Sequence, residues 1–122
     1  MGYQILHNNF NVLNLQRSID FYREALGLTE IRRKVAEDGS YIFVFLGYPG
    51  QCHQVELTWL RDRETPYDLG DNEIHLAFET DNYEESYQHH EEMGCICFVN
   101  EQLGLYYIED PDGYWLEIIP KR

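Results

Sequence analysis

Residues 109–119 read EDPDGYWLEII. Asp110-Pro111-Asp112-Gly113 has turn chemistry: proline presets φ and glycine tolerates the conformation that closes a tight turn. The run that follows, Tyr114 to Ile119, is apolar except for Glu117. Side chains alternate along a strand, so a register that sends Leu116 and Ile118 to a core sends Glu117 to the opposite face. The segment before the turn, about 104–109, is also strand-like, and a hairpin is predicted. A lone carboxylate in a strand is usually just solvated. What decides its meaning is whether residues like it stand at equivalent places elsewhere.

Working outward, the chain reads as the same pattern twice. Residues 4–12 form a strand-like run, followed by a helical pattern with Leu15, Ile19, Tyr22 and Leu26 on one face. Asn14 serves as its N-cap and Gly27 as its stop. Strands follow at about 28–35, 41–47 and 53–60. After a polar stretch, Arg61 to Asp71, the grammar repeats: a strand at 73–79, with Ile74, Leu76 and Phe78 on one face and His75 on the other. Asp81 and Glu84 frame a capping box for a second helix carrying Tyr83, Tyr87, His90 and Met93, which Gly94 ends. Strands at about 95–100, 104–109 and 114–119 complete it. The expectation is an α+β fold of tandem β-α-β-β-β modules forming a curved mixed sheet. It is a single domain over 1–122, with module one at about 3–60, a linker at 61–71 and module two at about 72–121.

The repeat pairs the titratable residues. His7 and His75 lie in the first strands, each three residues ahead of a phenylalanine, Phe10 and Phe78. Glu56 and Glu117 lie in the last strands, each flanked by aliphatic residues. If helices cover the apolar faces, all four point to the open side of the sheet. Two imidazoles and two carboxylates suit a divalent transition metal (Zn, Ni, Co or Fe), with open positions for water or substrate. Solvated residues have no reason to obey repeat symmetry. Glu101 and Glu109 are expected at the surface, and His53, His89 and His90 are expected not to be ligands.

Composition narrows the partners. The formal net charge is −13, from 9 basic and 22 acidic residues. Such a field repels nucleic acid and anionic membranes, so neither is expected as a partner. No apolar run approaches a membrane span and the N-terminus has no signal-peptide pattern, so a soluble cytoplasmic protein is expected. Cys52, Cys95 and Cys97 form no paired C-x-x-C motif and read as reduced thiols.

Four stretches, LNLQRSIDFYREALGL (13–28), VELTW (55–59), YDLG…HLAF (67–78) and EDPDGYWLEII (109–119), resemble the glyoxalase I (lactoylglutathione lyase) family of the vicinal oxygen chelate superfamily. The resemblance spans nearly the whole chain and implies the glyoxalase/bleomycin resistance-like fold. It places the family's metal set on His7, Glu56, His75 and Glu117. The implied reaction converts the hemithioacetal of methylglyoxal and a thiol to a 2-hydroxyacyl thioester, with Glu117 as base and Glu56 as its partner on the other side. It also implies Ni or Co in preference to Zn. The implied assembly is a homodimer whose sites each take His7 and Glu56 from one subunit and His75 and Glu117 from the other. Two positions depart from the family pattern: Asn11 where an Arg is usual, and Leu60 where an Asn is usual. Those departures remove groups that would bind the carboxylates of glutathione, and the substrate-binding residues stay unassigned. A related superfamily enzyme, such as an epimerase or a thiol transferase, is the alternative. A non-catalytic resistance protein that binds small molecules is a third reading, disfavoured by the intact quartet.

Overall fold

A computed structural model describes all residues 1–122. The chain divides into two units, Met1–Tyr67 and Asp68–Arg122. The first contains β1 (His7–Val12), α1 (Leu15–Leu26), β2 (Thr29–Val35), β3 (Tyr41–Gly47) and β4 (Gln54–Leu60). The second contains β5 (Leu76–Thr80), α2 (Tyr83–Met93), β6 (Ile96–Asn100), β7 (Leu105–Glu109) and β8 (Trp115–Pro120). Each unit is therefore β-α-β-β-β. The hydrogen-bonded ladders stop at four strands in each, in the matching orders β1-β4-β3-β2 and β5-β8-β7-β6. First and last strands pair in parallel, and the other pairs are antiparallel.

In the first unit the Asn14 side chain accepts a hydrogen bond from the Arg17 amide at 3.0 Å, satisfying one of the amides orphaned at the start of α1. Gly27, at φ 68°, ends the helix in the left-handed conformation that glycine adopts without strain. Between these ends Ser18, Ile19, Tyr22 and Ala25 are buried. Tyr22 stacks on Phe10 of β1 with ring centroids 6.2 Å apart. Val12, Val44, Leu46, Val55 and Leu57 complete this core. Each such aliphatic side chain contributes about 1.5–3 kcal/mol by leaving water.

The second unit has a more polar core. Tyr106, Ile108, Leu116 and Ile118 are buried, in cross-strand pairs Tyr106–Ile118 and Ile108–Leu116. Where α2 packs, the Tyr106 hydroxyl lies 2.6 Å from Ser86 Oγ and 2.7 Å from His90 Nδ1. A buried hydroxyl must find partners, and here α2 provides two.

The turn at 110–113 owes its shape to Asp110. Its carboxylate accepts from the amides of Asp112 and Tyr114, both at 2.9 Å. Its own amide donates to the Tyr114 carbonyl at 2.9 Å. The hairpin is thereby locked in the register that buries Leu116 and Ile118 on one side of Glu117.

Three boundaries differ from expectation. The first strand starts at His7, not near Gln4, because its ladder with β4 begins where the Gln54 amide donates to the Leu6 carbonyl. The β5 ladder begins at Leu76–Leu116, so Ile74 and His75 precede the strand, and Ile74 is 91% exposed instead of facing the core. The second helix is capped by Asn82, not Asp81: its side chain accepts from the Glu85 amide at 3.2 Å and donates to Glu85 Oε2 at 2.8 Å. No helix is long and apolar enough to cross a membrane.

Candidate active site

The parallel pairing of β1 with β4 puts Asn9 opposite Glu56. His7 lies two residues earlier, on the same face of the strand, and reaches the carboxylate diagonally: Nε2 stands 3.6 Å from Glu56 Oε1. The second unit repeats the construction. Ala77 is opposite Glu117, and His75, two residues earlier, places Nε2 3.6 Å from Glu117 Oε1. Both carboxylates have side chains only 14% exposed, while the two rings are 40% and 37% exposed. Each pair thus offers one nitrogen and one oxygen, with an open approach on the imidazole side. Within either unit no third His, Cys, Asp or Glu joins the pair.

On the other flank of each glutamate stands an aromatic ring. Phe45 is opposite Glu56 and Tyr107 is opposite Glu117. Each ring meets the imidazole of its own pair nearly edge-on, with centroids 5.5 Å apart for His7–Phe45 and 5.2 Å for His75–Tyr107. Such T-shaped packing limits how the imidazole can turn. Around His75 a further restraint acts: Nδ1 lies 3.3 Å from the Glu73 carbonyl. A carbonyl only accepts, so this contact is made by a proton on Nδ1, and Nε2 is the ring atom turned toward Glu117.

The repeat then diverges. The Tyr107 hydroxyl donates to Glu117 Oε2 at 2.9 Å; Phe45 has no hydroxyl with which to do the same for Glu56. Burial first, then the hydrogen bond to Glu117 and its charge, hold the Tyr107 hydroxyl above its ordinary pKa, so it is a donor at neutral pH. One strand further out, Arg32 is opposite Phe45 and its guanidinium carbon lies 3.8 Å from the ring centroid. The matching residue opposite Tyr107 is Phe98, which stacks on Trp115 at 6.3 Å. A bulge precedes Arg32 and Phe98 alike. The first pair is therefore bordered by a cation, the second by an exposed aromatic surface.

The donor chemistry fits a divalent metal. Two ligand atoms each about 2.0–2.2 Å from one ion stand roughly 3–3.5 Å apart in octahedral or tetrahedral geometry. Both His–Glu pairs are within a few tenths of an ångström of that separation.

Other expectations can be placed residue by residue. His53 Nε2 lies 2.8 Å from Asn8 Oδ1, and His90 is buried against Tyr106, so neither belongs to a His–Glu pair. Asn11 accepts from the Asn9 side-chain amide at 2.6 Å, and Asn9 accepts in turn from Thr58 at 2.5 Å. Leu60 offers no polar group. Arg61 is held by Asp62 and the Asp38 carbonyl, and Arg63 by the Thr65 and Pro66 carbonyls. Tyr107, Arg32 and Phe98 escaped the sequence reading. Only the strand pairings put them in register rows with the paired glutamates.

The chain matches the model of the Glyoxalase/Bleomycin resistance protein/Dioxygenase superfamily over residues 4–118. It is 34% identical over 129 residues to a lactoylglutathione lyase of Neisseria meningitidis serogroup A, covering 98% of this chain and 91% of that one. To the lactoylglutathione lyase of Escherichia coli O157:H7 it is 32% identical over 131 residues, covering 98% and 93%. Among solved structures, the trypanothione-dependent glyoxalase I of Leishmania major superposes with a TM-score of 0.86 at 28% identity, covering 98% of this chain and 87% of that one. With the same βαβββ units, an intact His–Glu pair in each and this likeness along its length, the chain belongs to the glyoxalase/bleomycin resistance protein/dioxygenase superfamily and is a glyoxalase I-like enzyme.

Proposed function

We propose that the chain isomerises the hemithioacetal of methylglyoxal and a thiol to a 2-hydroxyacyl thioester, with His7, Glu56, His75 and Glu117 as the ligands of a divalent metal. The observation that carries this reading is the repeated His–Glu pair, 3.6 Å in both units. Each pair is two donors short of the set of four. A homodimer that joins the His7–Glu56 pair of one copy to the His75–Glu117 pair of the other completes it. Nickel or cobalt is proposed ahead of zinc on the resemblance to the compact glyoxalase I chains; the donor set of two carboxylates and two imidazoles accommodates any of the three.

The chemical difficulty is a weakly acidic C–H bond beside a carbonyl. A divalent metal bound there supplies Lewis-acid stabilisation for the negative charge that develops on the two vicinal oxygens. Glu117, which would be displaced from or loosely held by the metal when substrate binds, takes the proton from the thiol-bearing carbon and returns it to the neighbouring carbonyl carbon. The former hemithioacetal carbon becomes the thioester carbonyl and the former ketone becomes the hydroxyl, so no oxidant or reductant is consumed. Glu56 faces the substrate from the other side. Phe45, Tyr107, Phe98 and Trp115 line the two half-sites with apolar surface that limits water around the reacting carbons.

The thiol is proposed to be glutathione or another small thiol, held with fewer contacts to its acidic groups than Arg and Asn at positions 11 and 60 would give. Asn11 is engaged with Asn9 and Leu60 has no donor, Arg61 and Arg63 bind elsewhere, and the chain carries a charge of −13. Arg32, stacked on Phe45, is the cation placed to receive a single acidic group. The test is thioester absorbance from metal-loaded protein given methylglyoxal with glutathione, bacillithiol or coenzyme A in parallel. Thioester with at least one of them is expected. None with any thiol and any of nickel, cobalt or zinc would refute the assignment.

A further inference from the structure

The two modules contain a built-in comparison. Glu56 and Glu117 share a register position, a diagonal histidine at 3.6 Å and an opposed aromatic ring. The difference that touches the carboxylate itself is a hydroxyl: ring position four of residue 107 carries one, and that of residue 45 does not. We infer that Tyr107 is a positioning residue, whose hydroxyl tethers Glu117 by Oε2 and so orients Oε1, the oxygen beside His75 that would take the substrate proton once substrate releases it from the metal.

The hydrogen bond runs at 2.9 Å from the phenol to Oε2, while Oε1 is the atom directed at His75. Carboxylate oxygens are otherwise interchangeable by rotation about the terminal bond, so a base on a strand can present either one. With Oε2 held, rotation is restricted and a single oxygen remains available. The tether survives the reaction cycle. When Oε1 accepts a proton, Oε2 becomes the carbonyl oxygen of a carboxylic acid and still accepts from the phenol. Glu56, opposite Phe45, has no such restraint. The hydroxyl therefore separates two otherwise matched carboxylates into a held one and a free one. Tyr107 is itself fixed, by the edge of His75 at 5.2 Å and by Trp115 at 5.4 Å.

This inference rests on the proton-transfer role proposed for Glu117, and its test separates the two. Tyr107→Phe removes one oxygen and keeps the ring that packs against His75. In metal-free protein labelled with carboxyl-13C glutamate, the Glu117 resonance, identified by its loss in Glu117→Gln, is expected to move in Tyr107→Phe, while that of Glu56 stays in place. In metal-loaded protein, kcat is expected to fall about tenfold with KM and metal content unchanged, since a lost hydrogen bond to a charged group that acts in the transition state has that size. An active parent enzyme whose Tyr107→Phe variant keeps its kcat, or whose Glu117 resonance does not move, overturns the tether and leaves the proposed reaction standing. A parent with no thioester activity overturns both.

Discussion

His75 Nε2 lies 3.6 Å from Glu117 Oε1, the separation that also holds between His7 Nε2 and Glu56 Oε1. The equality has a structural origin. In each module the last strand pairs in parallel with the first, and in each the histidine sits two residues ahead of the residue facing the glutamate. Along β1 a two-residue step restores the same face; His75 stands just ahead of β5 and keeps the same two-residue offset from Ala77, so the spacing is shared.

If both pairs serve one metal, removing either imidazole should weaken it to a similar degree. Losing even a group that merely orients a ligand lowers affinity about 10–100-fold. His7→Ala and His75→Ala are therefore each expected to lose at least a hundredfold in nickel affinity, measured by competition with a chelating dye. Unchanged binding in either variant would remove that pair from the metal site.

The carboxylates should part company. Glu117→Gln keeps the shape and one ligand-capable oxygen but cannot accept the proton; kcat should fall about 10²–10⁴-fold with much of the metal retained. Glu56→Gln should lose less in kcat when assayed with the same substrate. The ratio of the two variants' kcat values, at saturating metal, is the measurement. Near-normal turnover by Glu117→Gln would show that the base is elsewhere.

Away from the site, the Tyr106 hydroxyl joins α2 to its sheet through Ser86 and His90. Tyr106→Phe deletes the atom both side chains meet inside the core. Leaving polar groups short of a buried partner costs about 1–3 kcal/mol. The urea midpoint should drop by the corresponding amount, and a midpoint within error of the parent would mean that other contacts dominate there.

The thiols should react unequally. Burial first, and the charge of Glu109 second, push the Cys97 thiol up from 9.0 to about 11. The thiolate is the nucleophile, so raising the pKa lowers reactivity: near pH 8 the thiolate fraction falls about a hundredfold below that of an ordinary thiol. Cys52 is exposed. Iodoacetamide followed by peptide mass analysis should find Cys52 modified first, with Cys97 catching up only as pH rises toward 11. Equal labelling at about pH 8 would contradict the burial argument.

Much of this molecule was legible in its residues because the fold is written twice. Gly27 and Gly94 end the helices as read, each with positive φ, and the Asp110 turn sets the register that puts Glu117 between buried Leu116 and Ile118. What escaped depended on long-range competition. Asp81 and Asn82 fit the same capping template, with Glu84 and Glu85 respectively. The choice fell to Asn82, whose amide donates to Thr80 Oγ1 where β5 ends. Ile74 looked like a core residue by alternation, but its strand had not yet begun. Tyr107 was one tyrosine among ten, and only the pairing of β7 with β8 set its hydroxyl against a particular carboxylate oxygen.

Everything proposed for the site depends on two His–Glu pairs holding a divalent metal that turnover requires. One titration tests this: metal-stripped protein, methylglyoxal with the thiol that serves it best, and nickel added in steps while thioester absorbance is followed. No turnover is expected at the start, then a linear rise that saturates at about one ion per chain. Full activity in the stripped protein, or no activity at any nickel, cobalt or zinc concentration, would contradict it.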